Sequence, residues 1–119
     1  MDTQTIGEEE WNELQKNLTE TIPVYDRVNR FATLGQVGRW RRIVRSLLPQ
    51  GRLLEIGCGP GSFAEDVQGR ELVCLDPIPE MIEVARLRVN AERERRGDPP
   101  ATFVEGTAEN LPFEDNSFD

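Results

Sequence analysis

Apolar residues along this chain recur with two different periods. Up to residue 48 the spacing is helical: Trp11, Leu14 and Leu18, then Tyr25, Val28 and Phe31, then Val37, Trp40, Ile43 or Val44, and Leu47. Thr5 or Gly7 marks the start of the first helix and Pro23 its stop. Gly35 closes the second, and Pro49-Gln50-Gly51 ends the third. Trp40 reads as a core residue on this pattern. From residue 52 the apolar positions fall into short runs, and residues 52–56, 72–75 and 102–105 read as strands. Between them the pattern predicts a short helix from Ser62 to about Gln68-Gly69. A longer helix opens at Pro79 and turns Met81, Ile82, Ala85 and Val89 inward. It runs into the charged stretch 92–96 and stops at Gly97-Asp98-Pro99-Pro100. The alternation is β-α-β-α-β behind a helical N-terminal region, which implies parallel strands joined by right-handed crossovers.

The junction after the first strand carries the chemistry. Leu53-Leu54-Glu55-Ile56 runs into Gly57-Cys58-Gly59-Pro60-Gly61, three glycines at alternate positions. Glycine supplies positive φ and leaves no Cβ between backbone and ligand. In α/β sheets this first strand–turn–helix junction is where an adenosine-containing cofactor lies. Asp76 follows Gly57 by 19 residues at the end of the second apolar run. That is close to the roughly 20-residue offset at which an acid meets ribose hydroxyls. A dinucleotide fingerprint needs Gly or Ala at position 62, where this chain has Ser. Glu55 would repel a pyrophosphate but could orient the loop or reach a cationic amino group. A ligand with an adenosine end, an amino-acid end and no phosphate suits both acids better than NAD.

Composition narrows the chemistry further. The chain has no His, and no Cys/Asp/Glu cluster has metal spacing, so no metal is expected. Cys58 and Cys74 read as loop or buried thiols rather than a structural disulfide. No apolar run approaches the ~20 residues of a membrane span, and no secretory signal is legible, so a cytoplasmic location is expected. The net charge of −8 argues against nucleic acid as a partner. Against that balance, Arg27, Arg30, Arg39, Arg41, Arg42 and Arg45 crowd one segment. They read either as a solvated helical face or as a basic approach to an anionic acceptor or membrane surface.

At this point the chain resembles a known family, the class I S-adenosylmethionine-dependent methyltransferases. Residues 53–61 resemble the first motif, Asp76-Pro77-Ile78-Pro79-Glu80-Met81 the second, and residues 104–113 the third. Asp115-Asn116-Ser117-Phe118-Asp119 resembles the entry to the fourth strand. Tyr25-Asp26-Arg27-Val28-Asn29 and Trp40-Arg41 resemble the branch of the ubiquinone and menaquinone C-methyltransferases. The resemblance implies a Rossmann-like three-layer α/β/α fold of strand order 3-2-1-4-5-7-6. Here it is truncated to about three parallel strands in the order 3-2-1. Residues 1–50 would form an N-terminal helical cap and residues 51–119 the N-terminal half of the cofactor domain.

For the site, the resemblance implies S-adenosyl-L-methionine held by Glu55, Gly57, Cys58, Gly59, Gly61, Asp76, Pro77, Thr107, Ala108 and Tyr25. Glu55 would face the methionine amino group or merely anchor the loop. Asp76 would take the ribose hydroxyls or cap the following helix. Pro77 would lie on the adenine face, Ala108 would offer its N–H to the ring, and Tyr25 would close over the cofactor. Two positions depart from the pattern: Ile78 replaces a capping Ser, and Thr107 replaces an Asp that meets the adenine amino group. Met81 reads as core. No catalytic residue is named, because the acceptor pocket of such folds is built after the fourth strand. The implied function is methyl transfer to a small-molecule acceptor. The alternatives are a non-catalytic module that pairs its strand-one edge with itself or a partner chain, and an NAD-dependent oxidoreductase.

Overall fold

The computed structural model describes residues 8–21 and 24–119. Three helices come first: α1 (Glu8–Thr21), α2 (Tyr25–Ala32) and α3 (Gln36–Leu47). The expected start at Thr5 or Gly7, the stop at Pro23, and the side chains of Trp11 and Leu18 lie outside the described residues. There follow β1 (Leu53–Ile56), β2 (Leu72–Asp76), α4 (Pro79–Arg96) and β3 (Thr102–Glu105). The sheet is parallel with β2 in the middle, Leu53 opposite Leu72 and Asp76 opposite Glu105. This is the strand order 3-2-1 expected of the Rossmann-like fold.

The central strand is buried along its whole length, as a parallel strand covered on both faces must be. Leu72 and Cys74 join Ala64, Val67, Ala85, Val89 and Ala101 in one cluster, with Leu53, Phe63, Ile82 and Phe103 around it. Helix α4 supplies Met81, Ala85, Val89 and Arg93, one residue per turn, and all four are buried. Arg93 is fully enclosed, its guanidinium donating to the carbonyls of Pro99 (2.6 Å), Val67 (2.9 Å) and Arg70 (2.6 Å). A buried cation persists only when its donors are satisfied in this way.

Two expectations are corrected here. The helix expected from Ser62 is a single 3-10 turn, Ala64–Asp66, and Val67 is already extended. The carbonyls that would continue it are taken by α4: Arg96 donates to Glu65 O and Val67 O, and Arg93 also donates to Val67 O. Trp40 is half exposed rather than core, as are Ile43 and Val44, and no residue of α3 is buried. Arg45 turns inward instead, 3.7 Å from Asp66 and 5.4 Å from the centre of the Phe63 ring.

The free edge of β1 is met at its start by residues 117–119. Asp119 N–H donates to Arg52 O, Arg52 N–H donates to the Asp119 carboxylate, and the Arg52 guanidinium lies over the Phe118 ring.

Candidate cofactor site

The site forms where β1 and β2 end side by side. The β1 chain leaves the sheet at Gly57, and the amides of Gly57 and Cys58 both donate to Leu75 O, at 2.7 and 3.1 Å. The loop is therefore laid across the end of β2. Gly57 and Gly61 hold φ of +73° and +90°, a region that costs other residues about 1–2 kcal/mol. The two glycines differ in what surrounds them. A Cβ at Gly57 would meet nothing within 4 Å, so this part of the loop borders open space. A Cβ at Gly61 would stand 2.8 Å from Val89 Cγ2 and 3.2 Å from Ala85 Cα, so Gly61 lets α4 pack.

Asp76 ties the junction together. Its Oδ2 accepts from Gly59 N–H at 2.9 Å and its Oδ1 from Ile78 N–H at 3.0 Å. The capping role thus holds in a modified form: Ile78, the N-cap of α4, has no side-chain cap of its own, and Asp76 serves its backbone. Each carboxylate oxygen accepts two bonds, so one lone pair on each is left for a ligand hydroxyl. Gly106 N–H donates to Asp76 O, which brings the turn after β3 to the same rim.

Glu55 has the most unusual environment. Its Oε2 is closed off from solvent with no hydrogen-bond partner. Burial pushes its carboxyl up from 4.5 to about 7, Asp76 adds to the rise, and Arg41 opposes it. A buried carboxylate without a partner is costly alone and valuable beside a cation. Cys58 and Cys74 are both free and buried. The Cys58 thiol is pushed up, first by its hydrogen bond with Cys74 and then by burial, which disfavours the thiolate.

The structure thus brings Glu55, Gly57, Cys58, Gly59, Gly61 and Asp76 together. Pro77 follows Asp76 on the way into α4, half-buried, and Met81 is core as expected. Thr107 is half-buried and closes a small bridge with Asn110, leaving Ala108 exposed at its tip. Tyr25 opens α2, but its side chain lies outside the described residues. Sequence reasoning missed the inward roles of Arg41, beside Glu55, and of Arg45. The signal available was the arginine-rich segment, and only its spatial neighbours were missing.

The donor set fits S-adenosylmethionine, a ligand that carries cationic amino and sulfonium groups and no phosphate. Two acids converge on the loop, one with a vacant buried oxygen, and Gly57 leaves room for close approach. Among the described residues no group of His, Cys, Asp and Glu could hold a metal ion, and no helix is long and apolar enough to cross a membrane.

Known proteins of similar sequence and fold are methyltransferases. A family described as "Methyltransferase domain" matches residues 54–119. The chain is 34% identical over 105 residues to a ubiquinone/menaquinone biosynthesis C-methyltransferase of Geobacter sp. (strain M21), covering 82% of this chain and 43% of that one. It is 33% identical over 113 residues to a demethylmenaquinone methyltransferase of Renibacterium salmoninarum, covering 91% and 44%. It therefore spans less than half the length of these relatives. A solved structure from Thermotoga maritima, described as a SAM-dependent methyltransferase and possible histamine N-methyltransferase, superposes with a TM-score of 0.61 at 35% identity, over 86% of this chain and 42% of that one. The match over more than half of the residues, on this sheet and around this loop, means that the chain belongs to the S-adenosylmethionine-dependent methyltransferase-domain family.

Proposed function

We propose that this chain is the cofactor-binding part of a cytoplasmic methyltransferase acting on a small molecule. The observation that carries the reading is the buried, unpartnered Glu55 oxygen beside the open turn at Gly57. In this reading Glu55 accepts the amino group of S-adenosylmethionine. Asp76 takes the ribose hydroxyls with its remaining lone pairs, and Pro77, Thr107 and Ala108 border the adenine. Gly57, Cys58 and Gly59 present backbone to the methionine arm, Gly61 holds the loop on α4, and Tyr25 closes the rim from α2. Residues 1–50 act as a cap on residues 51–119.

The bound cofactor supplies a methyl group on a sulfonium, which carries its own leaving group. These residues therefore contribute position: they fix the arm that bears the methyl so that an acceptor can lie in line with it. The names of the quinone-pathway relatives support an aromatic, hydrophobic acceptor methylated at carbon. The two free thiols, Cys58 and Cys74, suit a reducing compartment.

Calorimetric titration of S-adenosylhomocysteine into the protein, and into Glu55→Gln, tests the reading, with NAD as comparator. Saturable binding weakened at least tenfold in the variant, and none for NAD, is the expected result. Equal affinity of wild type and variant, or preference for NAD, would overturn it. A second reading, an interaction module pairing along the β1 edge, is favoured by the short coverage of that edge at Arg52. It predicts concentration-dependent dimers by sedimentation and no binding of S-adenosylhomocysteine.

A further inference from the structure

We propose that the pocket between α3, the turn after Gly61 and α4 is an anion-binding site for a phosphate or carboxylate group, separate from the cofactor contacts. The pocket is about 280 Å³ and is lined by Arg30, Arg41, Arg45 and Arg88 against two acids, Glu65 and Asp66. An excess of cations is unexpected in a chain of net charge −8. None of Glu55, Gly57, Asp76 and Thr107 lines it. Its volume falls below the roughly 300–1,000 Å³ of pockets that hold a drug-sized ligand, so it suits an anionic group rather than a whole cofactor.

The two acids do not neutralise the four cations. Glu65 is taken up by Arg88 in a bidentate pair, both contacts at 2.7 Å. Asp66 stands 3.7 Å from Arg45, beyond hydrogen-bond length. Arg45 Nη1 is shut off from solvent with no hydrogen-bond partner, a buried donor of a charged group left unsatisfied. Neither Arg30 nor Arg41 is in an ion pair among the described residues.

The backbone adds to this field. The N-terminal turn of α3, from Gly35 to Gly38, borders the same pocket, and the helix dipole places positive potential there. At Gly38 a Cβ would meet nothing within 4 Å, so space is open beside that turn. Guanidinium forks, a helix N-terminus and the Ser62 hydroxyl at the pocket wall are the groups that recognise tetrahedral or planar oxyanions. The arginine-rich segment read from sequence as either a solvated face or an approach to an anion is, in this inference, partly a built site.

The test is calorimetric titration of inorganic pyrophosphate and, in a separate arm, succinate, at constant ionic strength with chloride as the balancing ion. The wild-type protein should bind one of the two saturably, and the arm that binds identifies phosphate or carboxylate as the ligand group. Arg45→Gln should weaken that binding at least tenfold, as should Arg30→Gln, whose exposed side chain makes misfolding a poor explanation. Arg86→Gln, exposed and paired with Glu83 elsewhere on α4, should leave it unchanged. Heat signals that do not saturate in either arm, affinities unaltered by both pocket variants, or displacement of the anion by S-adenosylhomocysteine would overturn the proposal. The last outcome would make the pocket part of the cofactor site. Loss of S-adenosylhomocysteine binding with the anion site intact would instead count against the cofactor reading alone.

Discussion

Gly57 and Gly61 lie four residues apart in one loop, yet alanine at the two positions should fail in different ways. At Gly57 the only structural cost is the left-handed backbone, about 1–2 kcal/mol. A stiffer unfolded chain offsets about 0.4–1 kcal/mol of it. Gly57→Ala should therefore lose about 1 kcal/mol of stability, since its methyl meets no protein atom within 4 Å. At Gly61 the same strain is joined by a collision, 2.8 Å to Val89 Cγ2 and 3.2 Å to Ala85 Cα. The second of these is backbone of a packed helix and cannot swing aside. Overpacking of that kind costs about 1–3 kcal/mol more, so Gly61→Ala should lose about 2–4 kcal/mol. Binding should rank the other way. The Gly57 methyl fills the space assigned to the methionine arm, and affinity for S-adenosylhomocysteine should fall at least tenfold. Folded Gly61→Ala should lose less. Urea unfolding and calorimetry on both variants give the two rankings. Gly57→Ala with wild-type affinity, or a Gly57 variant less stable than the Gly61 variant, would refute the division of labour.

Other perturbations have equally definite outcomes. Replacing Arg93 with Met leaves the carbonyls of Val67, Arg70 and Pro99 without their donors, and should cost about 3–5 kcal/mol in urea unfolding. Arg95→Met on the exposed side of α4 should change stability by less than about 0.5 kcal/mol. Because folding raises the Glu55 carboxyl from 4.5 to about 7, the folded state holds that proton more tightly across this window. Stability should therefore fall as pH rises from 4.5 to about 7 and level off above it, by on the order of 3 kcal/mol. Glu55→Gln should remove that slope and raise Tm at pH 8. A cationic ligand binds the ionised carboxylate, so affinity for S-adenosylhomocysteine should rise from pH 6 to pH 8, with proton release visible as a buffer-dependent heat.

The strands were legible as short apolar stretches between turn residues: Leu72-Val73-Cys74-Leu75 is unbroken, as a strand buried on both faces requires, while in residues 102–105 only Phe103 and Val104 are apolar. The observed β3 has the expected bounds, and β1 and β2 differ from them by one residue each. The loop at the end of β1 was legible for a similar local reason: glycines at alternate positions mark a turn of positive φ, which Gly57, Gly59 and Gly61 all hold. What stayed hidden depends on partners distant in sequence. The missing helix after Ser62 is decided by Arg93 and Arg96, roughly thirty residues on, which capture its carbonyls. Arg93 itself extends the series Met81, Ala85, Val89 by one turn, but a charge in a charged stretch reads as surface. The periodicity of α3 showed an apolar stripe without saying what covers it. Trp40, Ile43 and Val44 remain half exposed while Arg41 and Arg45 face the body of the protein. The environment of Glu55 was half visible, since the acid before the glycines was evident but the closing off of its Oε2 from solvent was not.

The central claim is that the ends of β1, β2 and β3 hold S-adenosylmethionine. An NMR titration of the ¹⁵N-labelled protein with S-adenosylhomocysteine tests it most directly, residue by residue. The account predicts saturable shifts of the amides of Gly57, Cys58, Gly59, Thr107 and Ala108, lost in Asp76→Ala. Shifts confined to α1–α3, or spectra that do not change at saturating ligand, would contradict it.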